Sequence, residues 1–248
     1  MSDVLVHVYG AIPASARLPG GLTGRLGRPI RLVGDDRLAV LVSDVDDDSR
    51  VRREDLLVHA HLLETVAEET TVIPTRFGVL VPDDDTVRRE FLAHQRDHLL
   101  ALLEAFDGCV QLTVHATYDE EEALREVLRR DPGLAAARES VDLSDTAAQL
   151  RLGEAVSRAL TSLRETAADL VVDRLRPHAL ATSLNEVRGA FDVVSVALLV
   201  RRDDRAGLDA VVGDLKRQLS GQISVRYVGP QPPYAFLDHV VTGERSWA

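Results

Sequence analysis

Apolar and polar positions along this chain follow two periods, and the switches between them mark out the elements. Asp3 to Tyr9 is rich in β-branched residues, which predicts a strand ended at Gly10. Residues 11–29 hold three Pro and four Gly and read as a loop. Ile30–Val33 and Leu38–Val42 are short apolar runs around Gly34-Asp35-Asp36, a hairpin signal with a slightly long turn. Polar residues Asp44 to Arg53 end that segment. From Glu54 the period becomes helical, with Leu56, Ala60, Leu63 and Val66/Ala67 on one stripe. Thr71 to Val81 returns to strand character, interrupted by Pro74 and Gly78.

Pro82-Asp83-Asp84-Asp85 predicts a helix start, because Asp side chains accept from free N–H groups there. Val87, Phe91, His94/Gln95, His98/Leu99, Leu102 and Leu103 then extend one helix to near Gly108. Val110 to Thr117 alternates as a strand, and Glu120 to Arg130 is a helix with acids first and Arg last. Pro132-Gly133 breaks it. The longest helical pattern covers about 145–176, roughly 45 Å at 1.5 Å per residue, until Pro177 stops it. Strands follow at 179–184 and 192–200, a helix at 203–219 and a strand at 222–228. From about 110 onward the order is strand–helix–strand–strand–helix–strand, the split βαβ order of a ferredoxin-like unit. The expected class is α+β with two domains. Residues 1–118 form a small mixed sheet with two helices, 119–229 carry the long helix, and 230–248 are a Pro-rich tail.

Composition narrows the function. The chain has 248 residues, and its formal net charge of -11 argues against a general nucleic-acid binder, which needs a basic footprint. Residues 1–124 hold 23 acids and 12 bases, whereas 125–248 hold 17 of each, so the imbalance belongs to the first half. A single Cys, Cys109, excludes an internal disulfide and any multi-Cys metal site. No apolar run approaches the roughly 20 residues that span a bilayer, and no signal peptide is visible, so a soluble, cytoplasmic protein is expected.

Catalytic signals are thin. His94 and His98 lie one helical turn apart with Asp97 between, a spacing that can hold zinc, but Gln95 stands where a zinc protease needs Glu. A small metal-dependent enzyme using His94, Asp97 and His98 is therefore the rival reading. The acidic run Asp44–Ser49 lacks the Gly and the terminal Glu of a calcium loop. Cys109 reads as a buried structural thiol. No catalytic, metal or cofactor set is expected.

Two segments stand apart from generic scaffold. In Val72-Ile73-Pro74-Thr75-Arg76-Phe77-Gly78-Val79, Pro and Gly imply an edge, bulge or bend, and Arg76 and Phe77 point to opposite faces of a regular strand. In Gly229-Pro230-Gln231-Pro232-Pro233-Tyr234-Ala235-Phe236, three Pro fix an extended backbone that puts Tyr234 and Phe236 on one face. Each segment reads equally as internal packing or as a partner-docking element. Arg76, Phe77, Pro230, Pro232, Pro233, Tyr234 and Phe236 are the candidate partner-binding residues.

These segments, in this order, resemble the gas vesicle protein GvpF/GvpL family. The opening strand ending in Tyr9-Gly10 fits the family's start. The stretch from His59 through Glu64 to Ile73-Pro74-Thr75-Arg76-Phe77-Gly78 resembles its helix and Pro-x-Arg-Phe-Gly signature. Leu152-Gly153-Glu154 and the ending Gly-Pro-x-Pro-Pro-Tyr-x-Phe complete the set, with Gln231 where the family often carries Trp. The resemblance implies a non-enzymatic, vesicle-associated accessory protein of two α+β domains. It implies binding to the hydrophobic shell protein GvpA or to other accessory proteins, and it brings no catalytic residues. The long helix is a further candidate for self-association.

Overall fold

The computed structural model describes residues 4–46, 51–142 and 144–238. The chain is mixed α+β and divides into two compact units. One comprises Met1–Leu112, Leu199–Asp203 and Gly229–Ala248, and the other comprises Thr113–Leu198 and Asp204–Val228.

The first unit is built on β1 (Val4–Pro13), β2 (Arg31–Gly34), β3 (Leu38–Asp46), β4 (Ile73–Pro74) and β5 (Leu80–Val81). The sheet order is β2-β3-β1-β4, with β5 also pairing β1, all antiparallel. The opening strand does not end at Gly10. It shifts register between Val8 and Gly10 and continues to Pro13. A side chain at residue 10 would sit 2.7 Å from the Ile73 carbonyl oxygen, so only glycine admits the neighbouring β4 backbone. Residues 71–81 are likewise not one strand. Two-residue ladders at each end hold them to β1, with an irregular stretch between.

Helix α1 (Arg53–Glu69) covers this sheet. Tyr9, Ile12 and Leu41 from the strands meet Leu62, Leu63 and Val66 from the helix in one buried cluster. The expected helix stripe is displaced by one position at its start. Asp55 and His59 are buried, whereas Leu56 is 49% exposed. Hydropathy favoured Leu56; the buried face is set instead by polar partners of Asp55 and His59.

The segment expected as one helix to Gly108 is three pieces: α2 (Asp84–Val87), a π-helical stretch Arg88–His94, and α3 (Arg96–Ala105). Asp83 caps the first, accepting from the Thr86 N–H at 2.7 Å as expected. The π turn is closed by Gln95 N–H donating to the Glu90 carbonyl, an i→i+5 bond, at 3.2 Å. It rotates the following residues, so Leu99, Leu102 and Leu103 are buried while His94, Gln95 and His98 face out.

The second sheet contains β6 (Cys109–Tyr118), β7 (Ala181–Asn185), β8 (Asp192–Arg201) and β9 (Ile223–Gln231) in the order β7-β8-β6-β9. This is the interleaved order of the ferredoxin-like arrangement read from the sequence. Its helices are α4 (Glu120–Arg130), α5 (Pro132–Ser140), the 30-residue α6 (Thr146–Leu175) and α7 (Arg205–Gln218). Helix α5 departs from expectation. Pro132 occupies its first turn, where a missing N–H costs nothing, and Asp131 caps it, so the pair starts a helix as well as ending one. Ala123 and Val127 of α4, Leu134 of α5 and Leu163 of α6 form one buried cluster of the second unit.

Candidate functional site

The segment 71–81 acts as a strap along β1. Thr75 anchors it, with its N–H donating to the Tyr9 carbonyl at 2.9 Å and its hydroxyl to the Val8 carbonyl at 2.8 Å. Val8 N–H returns a bond to the Val79 carbonyl at 3.0 Å. Between these anchors the backbone is irregular, so strand alternation does not apply, yet Arg76 lines a groove while Phe77 meets a set of rings. Arg76 is exposed, and its guanidinium has no ion-pair or hydrogen-bond partner among the described residues.

Phe77 is half-buried and closes a box of rings. Its edge meets His7 and His59, each at 5.5 Å between ring centres. His7 stacks on Tyr9 at 4.5 Å and on His59 at 5.5 Å. The Tyr9 hydroxyl accepts from the Arg25 backbone N–H at 2.8 Å and shares a bond with Ser43 Oγ at 2.9 Å. Gly24 lies against that hydroxyl so closely that a Cβ would come within 2.1 Å of it. Beside the rings Arg25 and Asp55 form a buried ion pair at 3.1 Å, and Asp55 also accepts from the Arg52 N–H at 2.8 Å.

The electrostatics of this box favour neutral imidazoles. His7 is fully buried, and neither ring nitrogen has a hydrogen-bond partner among the described residues. Burial, then His59 and Arg25, push its pKa down to about 4. Burial lowers His59 too, opposed by a hydrogen bond to the Thr75 backbone. Two stacked, uncharged imidazoles offer neither a general base in reach of solvent nor a converging ligand set. The box is an internal clasp under the strap. Sequence reading missed it, although a His on the core face of an apolar strand was its available signal.

On the other side of the strap lies a groove of about 390 Å³. Ile73, Phe91, Leu99, Leu102 and Leu237 contribute its apolar walls, and Arg76, Gln95, His98 and Asp238 its polar positions. The candidate residues thus divide. Arg76 reaches the groove together with Leu237 and Asp238, just beyond the Pro-rich segment. Phe77 faces the rings instead. Pro230, Pro232, Pro233 and Phe236 are buried, while Tyr234 is 44% exposed. Tyr234 and Phe236 do not share an extended face, because residues 234–236 turn in a short 3-10 helix. Gln111 Oε1 accepts from the Ala235 N–H at 2.9 Å and holds this turn. Gln231 donates to Glu64 at 3.3 Å.

The rival metal reading loses its geometry. His94 contacts Glu90 at 3.2 Å, and only His98 lines the groove. No group of three or more His, Cys, Asp or Glu among the described residues could hold a metal ion. In the acidic run considered as a calcium loop, Asp44 pairs with Arg31 and Asp46 with Arg28, while Asp47–Ser49 lie outside the described residues. Cys109 is buried, and burial raises its thiol pKa. No helix among the described residues is long and apolar enough to cross a membrane.

Comparison with known proteins gives this architecture a family. Residues 5–238 match the family model described as gas vesicle synthesis protein GvpL/GvpF. The chain is 33% identical over 239 residues to gas vesicle protein F of Streptomyces sp. (strain CB03234), covering 94% of this chain and 99% of that protein. It is 26% identical over 250 residues to gas vesicle protein L2 of Halobacterium salinarum, covering 92% and 88% of the two. The crystal structure of the gas vesicle protein GvpF from Anabaena sp. PCC7120 has the same fold, with a TM-score of 0.79 over 96% of this chain and 98% of that one at 21% identity. With the strap motif and the Pro-rich ending both in place, the chain belongs to the GvpL/GvpF family of gas vesicle proteins.

Proposed function

We propose that this protein is a non-enzymatic accessory or minor structural component of gas vesicle assembly, binding the shell protein GvpA or other accessory proteins. Family membership supports the vesicle role. The observation that carries the binding role is the strap, which leaves Arg76 exposed, and without an ion pair among the described residues, beside a largely apolar groove. A shell subunit destined for a gas-filled wall must keep apolar surface covered until it is incorporated, and a soluble partner with a groove does that. The acidic first half is the proposed contact side, and its like charge would keep loaded complexes apart.

The test is retention of partners by the immobilised full-length chain. Purified GvpA and each accessory protein of the same gene cluster are passed over it separately. Saturable retention of GvpA or an accessory protein is expected. Retention of none sinks the proposal.

A further inference from the structure

The groove beside Arg76 has a chemistry that selects its occupant. Its walls are aliphatic and aromatic, from Ile73, Phe91, Leu99, Leu102 and Leu237. Arg76 stands over it and makes no ion pair among the described residues, although Asp238 lines the same groove. Gln95 and His98 are also exposed there, and no hydrogen bond engages either side chain within the described residues. A volume of about 390 Å³ falls in the range that takes a small ligand or a few side chains.

A second observation marks the place as more than a packing gap. The π-helical stretch Arg88–His94 brings Phe91 to the groove wall and turns Gln95 and His98 to its rim. Such turns interrupt an otherwise favourable α-helix and recur at functional sites.

Charge decides between occupants. A basic segment would meet Arg76 and be repelled. A run of acids would meet Asp238 in the same groove and the excess acid of the first half. One carboxylate among apolar residues satisfies both conditions, since a guanidinium pairs a carboxylate bidentately. Resting on the proposed shell-protein reading, we propose that this groove docks a predominantly apolar segment of GvpA carrying a single Asp or Glu, whose carboxylate pairs with Arg76. Gln95 and His98 offer that segment's polar groups further hydrogen bonds.

The experiment uses the full-length chain and overlapping fluorescein-labelled peptides spanning GvpA, read by fluorescence polarisation. Peptides holding one carboxylate within an apolar run are expected to bind. Arg76→Glu is expected to weaken them about tenfold or more, the scale of a lost charge-assisted contact. Replacing the peptide's acid by Lys should restore binding to the Arg76→Glu variant and abolish it for the unaltered chain. Arg76 is exposed, so the variant should fold, and an unchanged circular dichroism spectrum checks this. Equal binding by the Arg76→Glu chain, no recovery in the charge-swapped pair, or no peptide binding at all overturns the groove assignment. Intact GvpA separates the two readings. Equal retention by both chains removes the groove while shell binding stands, whereas absence of retention by the unaltered chain removes shell binding itself.

Discussion

Replacing His7 by Leu should remove a built-in acid sensitivity from the first unit. His7 is 0% exposed, both ring nitrogens lack partners among the described residues, and its neighbours are Tyr9, His59 and Phe77. The nearby charges facing it are Arg25 and Asp55, which are already paired with each other. Its pKa falls from 6.5 to about 4 on folding, so the unfolded chain binds the proton more readily. Stability therefore declines as pH drops through 6.5 and levels off for this group below about 4. The full difference corresponds to about 3 kcal/mol, of which about 2 kcal/mol is lost between pH 7 and pH 5, above the range where ordinary carboxylates titrate. His59 is shifted in the same direction and adds to the decline. Native-state hydrogen exchange at the slowest amides of β1 and β3, followed from pH 7 to pH 5, reads this unit alone. His7→Leu should flatten the pH dependence by about 2 kcal/mol. At neutral pH it should hold or raise stability, since a buried unsatisfied group typically costs about 1–3 kcal/mol. An unchanged slope, or a neutral-pH loss of several kcal/mol, would refute the argument that the His7 nitrogens are unpartnered.

Other substitutions probe the remaining links. Gly24→Ala drives a methyl into the Tyr9 hydroxyl and should cost about 1–3 kcal/mol in urea unfolding. Tyr9→Phe should relieve part of that cost, so the double variant must lie above the sum of the singles. Arg25→Met strands the buried Asp55 carboxylate and should destabilise by about 3–5 kcal/mol at neutral pH; a near-neutral effect would contradict a desolvated pair. Leu63→Ala should cost about 2–5 kcal/mol while Leu56→Gln stays within about 0.5 kcal/mol in thermal unfolding, and the reverse order would place the wrong face inward. Asp145→Ala removes the cap that accepts from Ala147 and Ala148, and should cost about 1 kcal/mol, seen as faster hydrogen exchange in the first turns of α6.

Local rules carried much of this fold. The Asp cap at 83, the acid-first order of α4, the hairpin around Gly34 and the uninterrupted period of α6 all act within a few residues, so their signals survive without tertiary context. Where reading and structure part, a distant group intervenes. Asp55 is buried because Arg25 pairs with it, and hydropathy alone ranks it behind Leu56. The π turn depends on one backbone bond, Gln95 to Glu90, that no side-chain pattern displays. Residues 234–236 turn where three Pro suggested an extended face, because Gln111 and the buried Phe236 draw the chain in.

The same division holds for the candidate site. The sequence by itself determined that two segments were unusual and that the ordered motifs resemble the gas vesicle GvpL/GvpF family; it put Arg76 and Phe77 on opposite faces only on the premise of a regular strand. Pro/Gly constraints are properties of the local backbone, and they are legible without a fold. Only the tertiary structure decided what each face meets: a clasp of His7, Tyr9 and His59 for Phe77, and a largely apolar groove for Arg76. Those partners come from residues as far apart in the chain as 7 and 59, or 76 and 237, brought together by burial. The energies involved, desolvation of imidazoles and of an ion pair, exist only once water has been excluded.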